Sequence, residues 1–433
     1  MSSDDPLLTD MRHASGWYSM LQQPPPANRL KGQQVADWVV VGAGVTGLAA
    51  ARRLAELAPN ERIILLDEYR IGYGASGRNS GLIIDTPHTT EQLDIDSNRR
   101  LSRLVVAGLA ELEGLVKKYA IECEWSQRGH LAAIVDSKRA EKELTATSRM
   151  LDAVGEEYTW LERDAVADVL GTHHYHAAIH TPRSVLVNPA ALCRGLGESL
   201  PDNVEVYEES PVRRVEPGSP VRVECVGGSI VATKVLLTTN GFIAKLGFLQ
   251  NKVFPLIECV SLSRELTEDE QAAMSGATDW GIAAYVTMRR TLSNRILIRH
   301  GTFYSNEFRL SQKRVKQLQQ SHKKGLLKRY PMLDALDFEY IWAGVFCMTR
   351  NWASFFGRLE RGLFAALGYA GVGLPRGTIS GKLLAEFASG HDSDLIRDVQ
   401  AISGPKWLPP EPFLGLGVGM RLAWDRWQRR AEW

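Results

Sequence analysis

Residues 37–58 read DWVVVGAGVTGLAAARRLAELA. Asp37 to Val41 is a short β-branched run, suited to a parallel strand buried on both faces. Residues 45–58 read as a helix with small residues along one face. Between them lies Gly42-Ala43-Gly44-Val45-Thr46-Gly47, a G-x-G-x-x-G turn in the strand-to-helix setting its mechanism requires. Gly42 permits the tight turn, Gly44 lets a pyrophosphate approach the backbone, and Gly47 lets helix and strand close on each other. The helix start supplies free N–H groups and a positive dipole end for the phosphates. A second buried run at 62–66 completes a β-α-β unit. Asp67 ends it, with Glu68 beside it, where a carboxylate accepts from the ribose hydroxyls and repels a 2′-phosphate. The unit predicts an adenine dinucleotide. It does not distinguish FAD from NAD.

The next polar stretch, Tyr73-Gly74-Ala75-Ser76-Gly77-Arg78-Asn79-Ser80-Gly81-Leu82, bears on that choice. Such a segment can wrap the far side of the pyrophosphate and reach a flavin. Ser76 and the backbone amides donate to phosphate, while Arg78 and Asn79 donate to phosphate or to flavin edges. Composition alone favours a plain flexible surface loop.

The chain has 433 residues, which predicts two lobes rather than one small core. Its formal net charge of +1 leaves no excess of cations to neutralise nucleic acid phosphates. Five scattered cysteines show no C-x-x-C spacing, so a disulfide framework and a thiolate metal site are set aside. A reducing, cytoplasmic location follows. The acidic start MSSDDPLLTD does not read as a secretory signal, and no apolar run reaches membrane-spanning length. The histidines His173, His174, His176 and His180 fit no metal-ligand spacing. The Trp-rich tail, FLGLGVGMRLAWDRWQRRAEW, reads as a helix packed on its own protein, with a membrane surface as the alternative.

Further along, residues 91–119 read as a helix and 130–135 as a strand. Residues 139–155 and a segment opened by Asn188-Pro189 read as helices. Short strands follow at 204–207, 221–226 and 230–238, then an antiparallel region over 255–304. A basic amphipathic helix covers 311–330. Residues 362–389 read as strand, glycine-rich turn and helix, the helix starting near Gly377.

VVVGAGVTGLAAARRLAE followed by LLDEYRIGYGASGRNSG resembles the D-amino-acid oxidase-like FAD-dependent oxidoreductase superfamily, and most of all its gamma-glutamylputrescine oxidase-type proteins. Their usual G-A-S-G-R-N-G-G stands here with Ser80 for one glycine. Ser15-Gly-Trp-Tyr18, Trp342 to Asn351, Phe356 to Leu359 and Leu367 to Glu386 extend the likeness. The resemblance implies an α/β Rossmann-like FAD-binding domain plus a mixed-sheet α+β substrate domain. The FAD domain would comprise 35–92, 180–250 and 341–400, and the substrate domain 93–179 and 251–340. Residues 1–34 would form a leader and 401–433 a tail. It places Val212 near adenine, Asn240 and Gly241 near the pyrophosphate, and Gly371, Gly373, Leu374 and Arg376 beside the flavin.

The implied reaction removes a hydride from a carbon bearing a neutral amine, passes it to flavin N5, and lets water hydrolyse the imine. O2 or another acceptor would then take the electrons. Relatives that oxidise amino acids clamp the carboxylate with Arg or Lys after the last glycines. Pro375 stands at that position here, with Arg376 adjacent, which favours an amine or polyamine derivative. His300 is the candidate base or substrate contact, a hydrogen-bonded edge histidine being the alternative. Arg299 beside it and Arg376 are the other candidate catalytic residues, Arg376 reading equally as a surface arginine at a helix start. Cys347 matches the place where sarcosine oxidase binds flavin covalently, yet it reads better as a small hydrophobe, implying non-covalent FAD. The alternatives are an FAD-dependent amino-acid or hydroxy-acid dehydrogenase and a flavin-binding protein without turnover.

Overall fold

A computed structural model describes residues 14–86, 94–402 and 404–433. The acidic N-terminal stretch and residues 91–93 of the expected 91–119 helix lie outside the described residues.

The β-α-β unit forms as expected. Gly32–Val41 is a strand, Val45–Leu57 a helix and Ile63–Leu66 a strand. Val40 faces one apolar core while Val39 and Val41 face another. Ile63 to Leu66 are fully buried on both sides. Each such side chain contributes about 1.5–3 kcal/mol on burial, whereas the whole strand-propensity scale spans about 1 kcal/mol. Burial therefore decides that this unit occupies the sheet interior.

The first sheet has eight strands. Gly32–Val41 pairs in parallel with Ile63–Leu66 and with Gly228–Leu237. Val204–Tyr207 and Leu363–Leu367 extend the parallel array outward on opposite sides. An antiparallel hairpin, Val212–Glu216 with Val221–Cys225, leans on Gly228–Leu237; the first of its strands was not anticipated. The second sheet also has eight strands, in the order Phe338–Met348, Phe254–Glu265, Arg295–Tyr304, Thr287–Arg290, Trp280–Ala283, His130–Ile134, Ala177–Thr181, Thr159–Glu162. It is antiparallel except where Trp280–Ala283 runs parallel to His130–Ile134, so it is mixed, as expected. One face of its Phe254–Glu265 strand presents Ile257 and Cys259 to Val315 and Leu318 of the basic helix Gln312–Arg329.

Three boundaries differ from expectation. Phe338–Met348 belongs to the second sheet, because it pairs along its length with Phe254–Glu265. The helix Ile95–Lys118 packs on Gly373–Ala388, where Leu101 and Leu104 meet Ile379 and Leu383. It therefore covers the first sheet's side rather than the substrate lobe. The last cradle helix begins at Gly373, one turn before Gly377. Gly377 and Gly381 instead sit inside it, where a Cβ on Gly381 would lie 2.0 Å from the Thr46 carbonyl. They let this helix close on Val45–Leu57.

Candidate functional site

A cavity of ≈ 1490 Å³ is lined from both sheets. Sites for one small ligand occupy about 300–1,000 Å³, so there is room for a dinucleotide and a substrate together. Gly42, Gly44, Val45, Thr46, Asp67, Glu68, Gly74, Ala75, Ser76, Arg78, Asn79 and Ser80 line it, as do Val212, Asn240, Arg299, Gly371, Gly373 and Leu374. Gly47, Gly81, Gly241, His300 and Arg376 are not part of its wall.

The cradle is shaped by absent side chains. Gly42 has φ +105°, a backbone conformation that glycine adopts without strain. A Cβ on Gly44 would lie 2.7 Å from Ser76 Oγ, and one on Gly47 would lie 1.7 Å from the Gly42 carbonyl oxygen. Ser76 Oγ accepts from the Val45 amide at 3.1 Å, so the polar loop does reach across to the first turn.

The starts of the helices Val45–Leu57 and Gly373–Ala388, each led by a glycine turn, both face this cavity. Neither receives a bond from its own N-cap side chain, and neither carries an acid in its first turn. Elsewhere Asp94, Asp136, Asn188, Thr267, Ser311 and Ser393 cap their helices in the ordinary way. Apart from the Val45 amide, which donates to Ser76 Oγ, the amides left free at this wall suit anionic ligand groups.

The loop at 73–82 is the reverse of a flexible surface turn. Its carbonyls are tied back one after another. Arg78 Nε donates to Tyr73 O at 2.7 Å, and Asn79 Nδ2 donates to Ala75 O and Ser76 O at 3.2 and 2.6 Å. Ser15 Oγ takes Gly77 O, Trp342 Nε1 takes Arg78 O, and Trp17 Nε1 takes Asn79 O, each at 2.9 Å. Arg289 Nη1, from the second sheet, donates to Ser80 O, Gly81 O and Val187 O at 3.3, 2.8 and 2.6 Å. Carbonyls so bound cannot turn their negative ends toward a phosphate. The side chains of Arg78 and Asn79 thus brace the loop, and both residues line the cavity. Gly81 is likewise an internal contact, since its Cβ would strike Arg289 Nη1 at 2.2 Å. Gly241 instead lies against Cys347.

Asp67 accepts from the Ala43 amide at 2.7 Å and the Tyr69 amide at 2.8 Å. Burial pushes its carboxyl up to about 6. It thus fixes the glycine turn, while Glu68 next to it exposes its carboxylate at the same wall. Thr239 Oγ1 and Asn240 Oδ1 are buried without a protein partner, both in residues that line the cavity. Orphaned oxygens of this kind are satisfied by a ligand rich in hydroxyls and ring N–H groups. The uncapped helix starts, the glycine cradle and these oxygens all fit FAD.

Two candidate catalytic residues are placed elsewhere. Arg376 is buried and donates to Tyr369 O at 3.0 Å and Ser354 Oγ at 3.2 Å, so it braces the glycine turn rather than swinging into the cavity. His300 stacks on Trp433 with ring centroids 3.9 Å apart and planes at 7°. The alternation of the Arg295–Tyr304 strand explains this: Arg299 faces the cavity and the next side chain faces away. Burial, with His322 and nearby arginines, pushes His300 down to about 3.

The wall opposite the cradle holds a polar cluster. Along Phe254–Glu265, Phe254, Leu256, Glu258 and Val260 face the cavity. Arg299 Nη1 donates to Glu258 Oε2, and Thr302 Oγ1 donates to Glu258 Oε1 at 2.9 Å. Arg299 also donates to Thr287 Oγ1 through Nη2 at 2.7 Å. Sequence reading missed Glu258. Its signal was a lone acid on the even positions of the otherwise apolar FPLIECVSL. Cys347 also lines the cavity, and burial pushes its thiol up to about 12.

The FAD dependent oxidoreductase (DAO) family profile matches residues 37–387. The gamma-glutamylputrescine oxidoreductase of Escherichia coli is 25% identical over 93% of this chain and 94% of its own length. A Haemophilus influenzae protein named "Probable oxidoreductase OrdL" is 26% identical over 86% of each chain. The crystal structure of glycine oxidase from Geobacillus kaustophilus shares the fold with a TM-score of 0.71 and 19% identity, covering 83% of this chain and 96% of that one.

Proposed function

This chain belongs to the FAD dependent oxidoreductase family, and from that premise we propose that it oxidises the C–N bond of an amine or polyamine derivative. Glu258 carries the proposal: a carboxylate displayed on the cavity wall opposite the cradle, where a cationic or N–H-rich substrate would meet it.

FAD would be held without a covalent bond by the Gly42–Gly47 turn, Ser76, Glu68, Asn240 and the start of Gly373–Ala388. When bound, it supplies the acceptor for a hydride leaving the amine-bearing carbon. The uncapped start of Gly373–Ala388 stabilises negative charge at that wall by on the order of 1 kcal/mol. Glu258 accepts from the substrate N–H, and Thr302 and Arg299 fix the direction in which its oxygens point. Leu256, Val260 and Phe346 on the same wall exclude water from the reacting carbon. The imine product hydrolyses to a carbonyl compound, and O2 is the proposed final acceptor.

Arg299 bears on the rival reading, an amino acid held by its carboxylate. Its guanidinium is already shared between Glu258 and Thr287, so a substrate carboxylate would compete with Glu258 for it, whereas each Glu258 oxygen keeps a second lone pair for a substrate N–H. An anaerobic screen of amines and amino acids, following loss of oxidised-flavin absorbance, tests the proposal. Bleaching by amines supports it; bleaching by amino acids alone overturns it.

A further inference from the structure

The C-terminal helix, Phe413–Gln428, is apolar on two faces. Its inner face sets Leu414, Val418 and Leu422 against the cavity wall. Its outer face carries Phe413, which also borders the cavity, with Leu416, Met420, Trp424 and Trp427, the five exposed by 67%, 61%, 69%, 53% and 57%. These recur at steps of three and four, so they form one stripe, about 21 Å long at 1.5 Å per residue. An apolar stripe of that extent on a soluble surface marks a contact site.

The charge beside the C-terminal half of the stripe is net positive. Of the acids of the segment, Asp425 is paired, Glu432 is buried, and Glu411 stays exposed before the first turn. Asp425 lines the cavity and accepts from Arg421 Nε at 3.1 Å. Glu432 is buried and receives the Val135 amide at 2.9 Å. Glu411 receives Tyr304 OH and the Gly415 amide. Arg421 and Asp425 cancel each other, which leaves Arg426 and Arg430 as the exposed cations, and Arg430 lies 5.0 Å over the Trp427 ring. A second copy packed in parallel would bring these cations against one another. An anionic surface would neutralise them.

We propose that this outer face docks the protein on an anionic lipid surface. Tryptophan and arginine beside an apolar stripe suit the headgroup boundary, where rings sit at the interface and guanidinium groups meet phosphate. Among the described residues no helix is long and apolar enough to cross a membrane, so the helix lies on the surface. The inner face of the same helix then brings one wall of the reaction cavity close to the lipid.

Flotation of the full-length, FAD-loaded protein with vesicles tests this. Phosphatidylcholine vesicles containing phosphatidylglycerol should carry the protein up, pure phosphatidylcholine about tenfold less, and added salt should weaken the binding. The double variant Leu416→Glu/Met420→Glu changes neither cavity residues nor cofactor contacts, and should lower binding by about tenfold or more. Its flavin content and melting temperature report that it is folded. Should it fail to fold, Arg426→Gln/Arg430→Gln should lose the preference for phosphatidylglycerol. The proposal is overturned by failure to float with either vesicle, or by undiminished flotation of the folded variants. A concentration-dependent dimer that the double variant splits would also overturn it, and would assign the stripe to a second copy.

Discussion

Arg289 Nη1, reaching from the substrate-side sheet, donates to the Gly81 carbonyl at 2.8 Å. One guanidinium thereby ties the Ser80–Gly81 end of the cofactor loop to the second sheet and to Val187. Burial pushes it down to about 10, so it stays charged at neutral pH. It also lies 5.1 Å over the Trp17 ring, whose indole N–H holds Asn79 O. The two lobes thus share responsibility for the loop.

Replacing Arg289 with Met should therefore loosen the loop more than the fold. Three carbonyls lose a charged donor, a cost of about 2–4 kcal/mol. FAD affinity should fall by at least about tenfold, read as flavin fluorescence released on dilution. Unchanged affinity in a folded variant would show that the loop holds its shape without the clamp.

Gly44→Ala and Gly47→Ala should separate binding from folding. The first adds a methyl 2.7 Å from Ser76 Oγ, a side chain that can rotate aside at the expense of its bond to the Val45 amide. A folded protein with FAD affinity reduced by about tenfold to a hundredfold is expected. The second drives a Cβ to 1.7 Å from backbone, which cannot give. Insoluble or unfolded protein is expected there, scored by circular dichroism.

The sequence foretold the parts of this site that depend on local chemistry. Glycine spacing, the strand before it and the helix after it announced the cradle, because each rests on neighbouring residues. What stayed hidden depends on partners far along the chain. Arg289 lies 208 positions from Gly81, and Trp342 lies 264 from Arg78. Nothing local marks such residues as braces. Arg376 was misjudged for the related reason that arginines are mostly exposed, whereas this one finds Tyr369 O and Ser354 Oγ. The helix boundary at Gly373 was set too late because glycine reads as a breaker, while here Gly377 fits against Thr46 and Val45.

Glu258→Gln keeps the length of the side chain, removes its negative charge and loosens its pair with Arg299. If the carboxylate receives the substrate N–H, kcat/KM for amines should fall by about tenfold to a hundredfold, since bonds to charged groups contribute about 1.5–3 kcal/mol. FAD affinity should stay the same. Full activity toward every amine that bleaches the parent enzyme would remove Glu258 from the substrate contacts.

Cys347→Ala should leave the protein yellow. The thiol is held protonated by burial and makes a poor nucleophile toward a flavin ring. Acid precipitation should release the flavin into the supernatant from parent and variant alike. A yellow pellet from the parent and a colourless one from the variant would establish a thioether instead.

His300→Phe tests whether the histidine beside Arg299 takes part in the chemistry. Both its ring nitrogens are buried without partners, and the ring stacks on Trp433. Phenylalanine keeps the stack and removes two unsatisfied groups, so a gain of about 1–2 kcal/mol is expected at pH 7. Acid should widen the gap. The folded pKa lies near 3, below the unfolded value of about 6.5. The unfolded parent therefore takes up a proton that the folded parent refuses. The parent loses stability as pH falls below about 6.5, by up to about 1.4 kcal/mol per pH unit, and the variant does not suffer this loss. Denaturant melts at pH 7 and pH 5 would show the difference. The pH profile of kcat/KM should be the same in both proteins, because a ring turned away from the cavity neither gives nor takes the substrate's proton. A lost acidic limb, or a hundredfold fall in kcat with stability intact, would return His300 to the reacting centre.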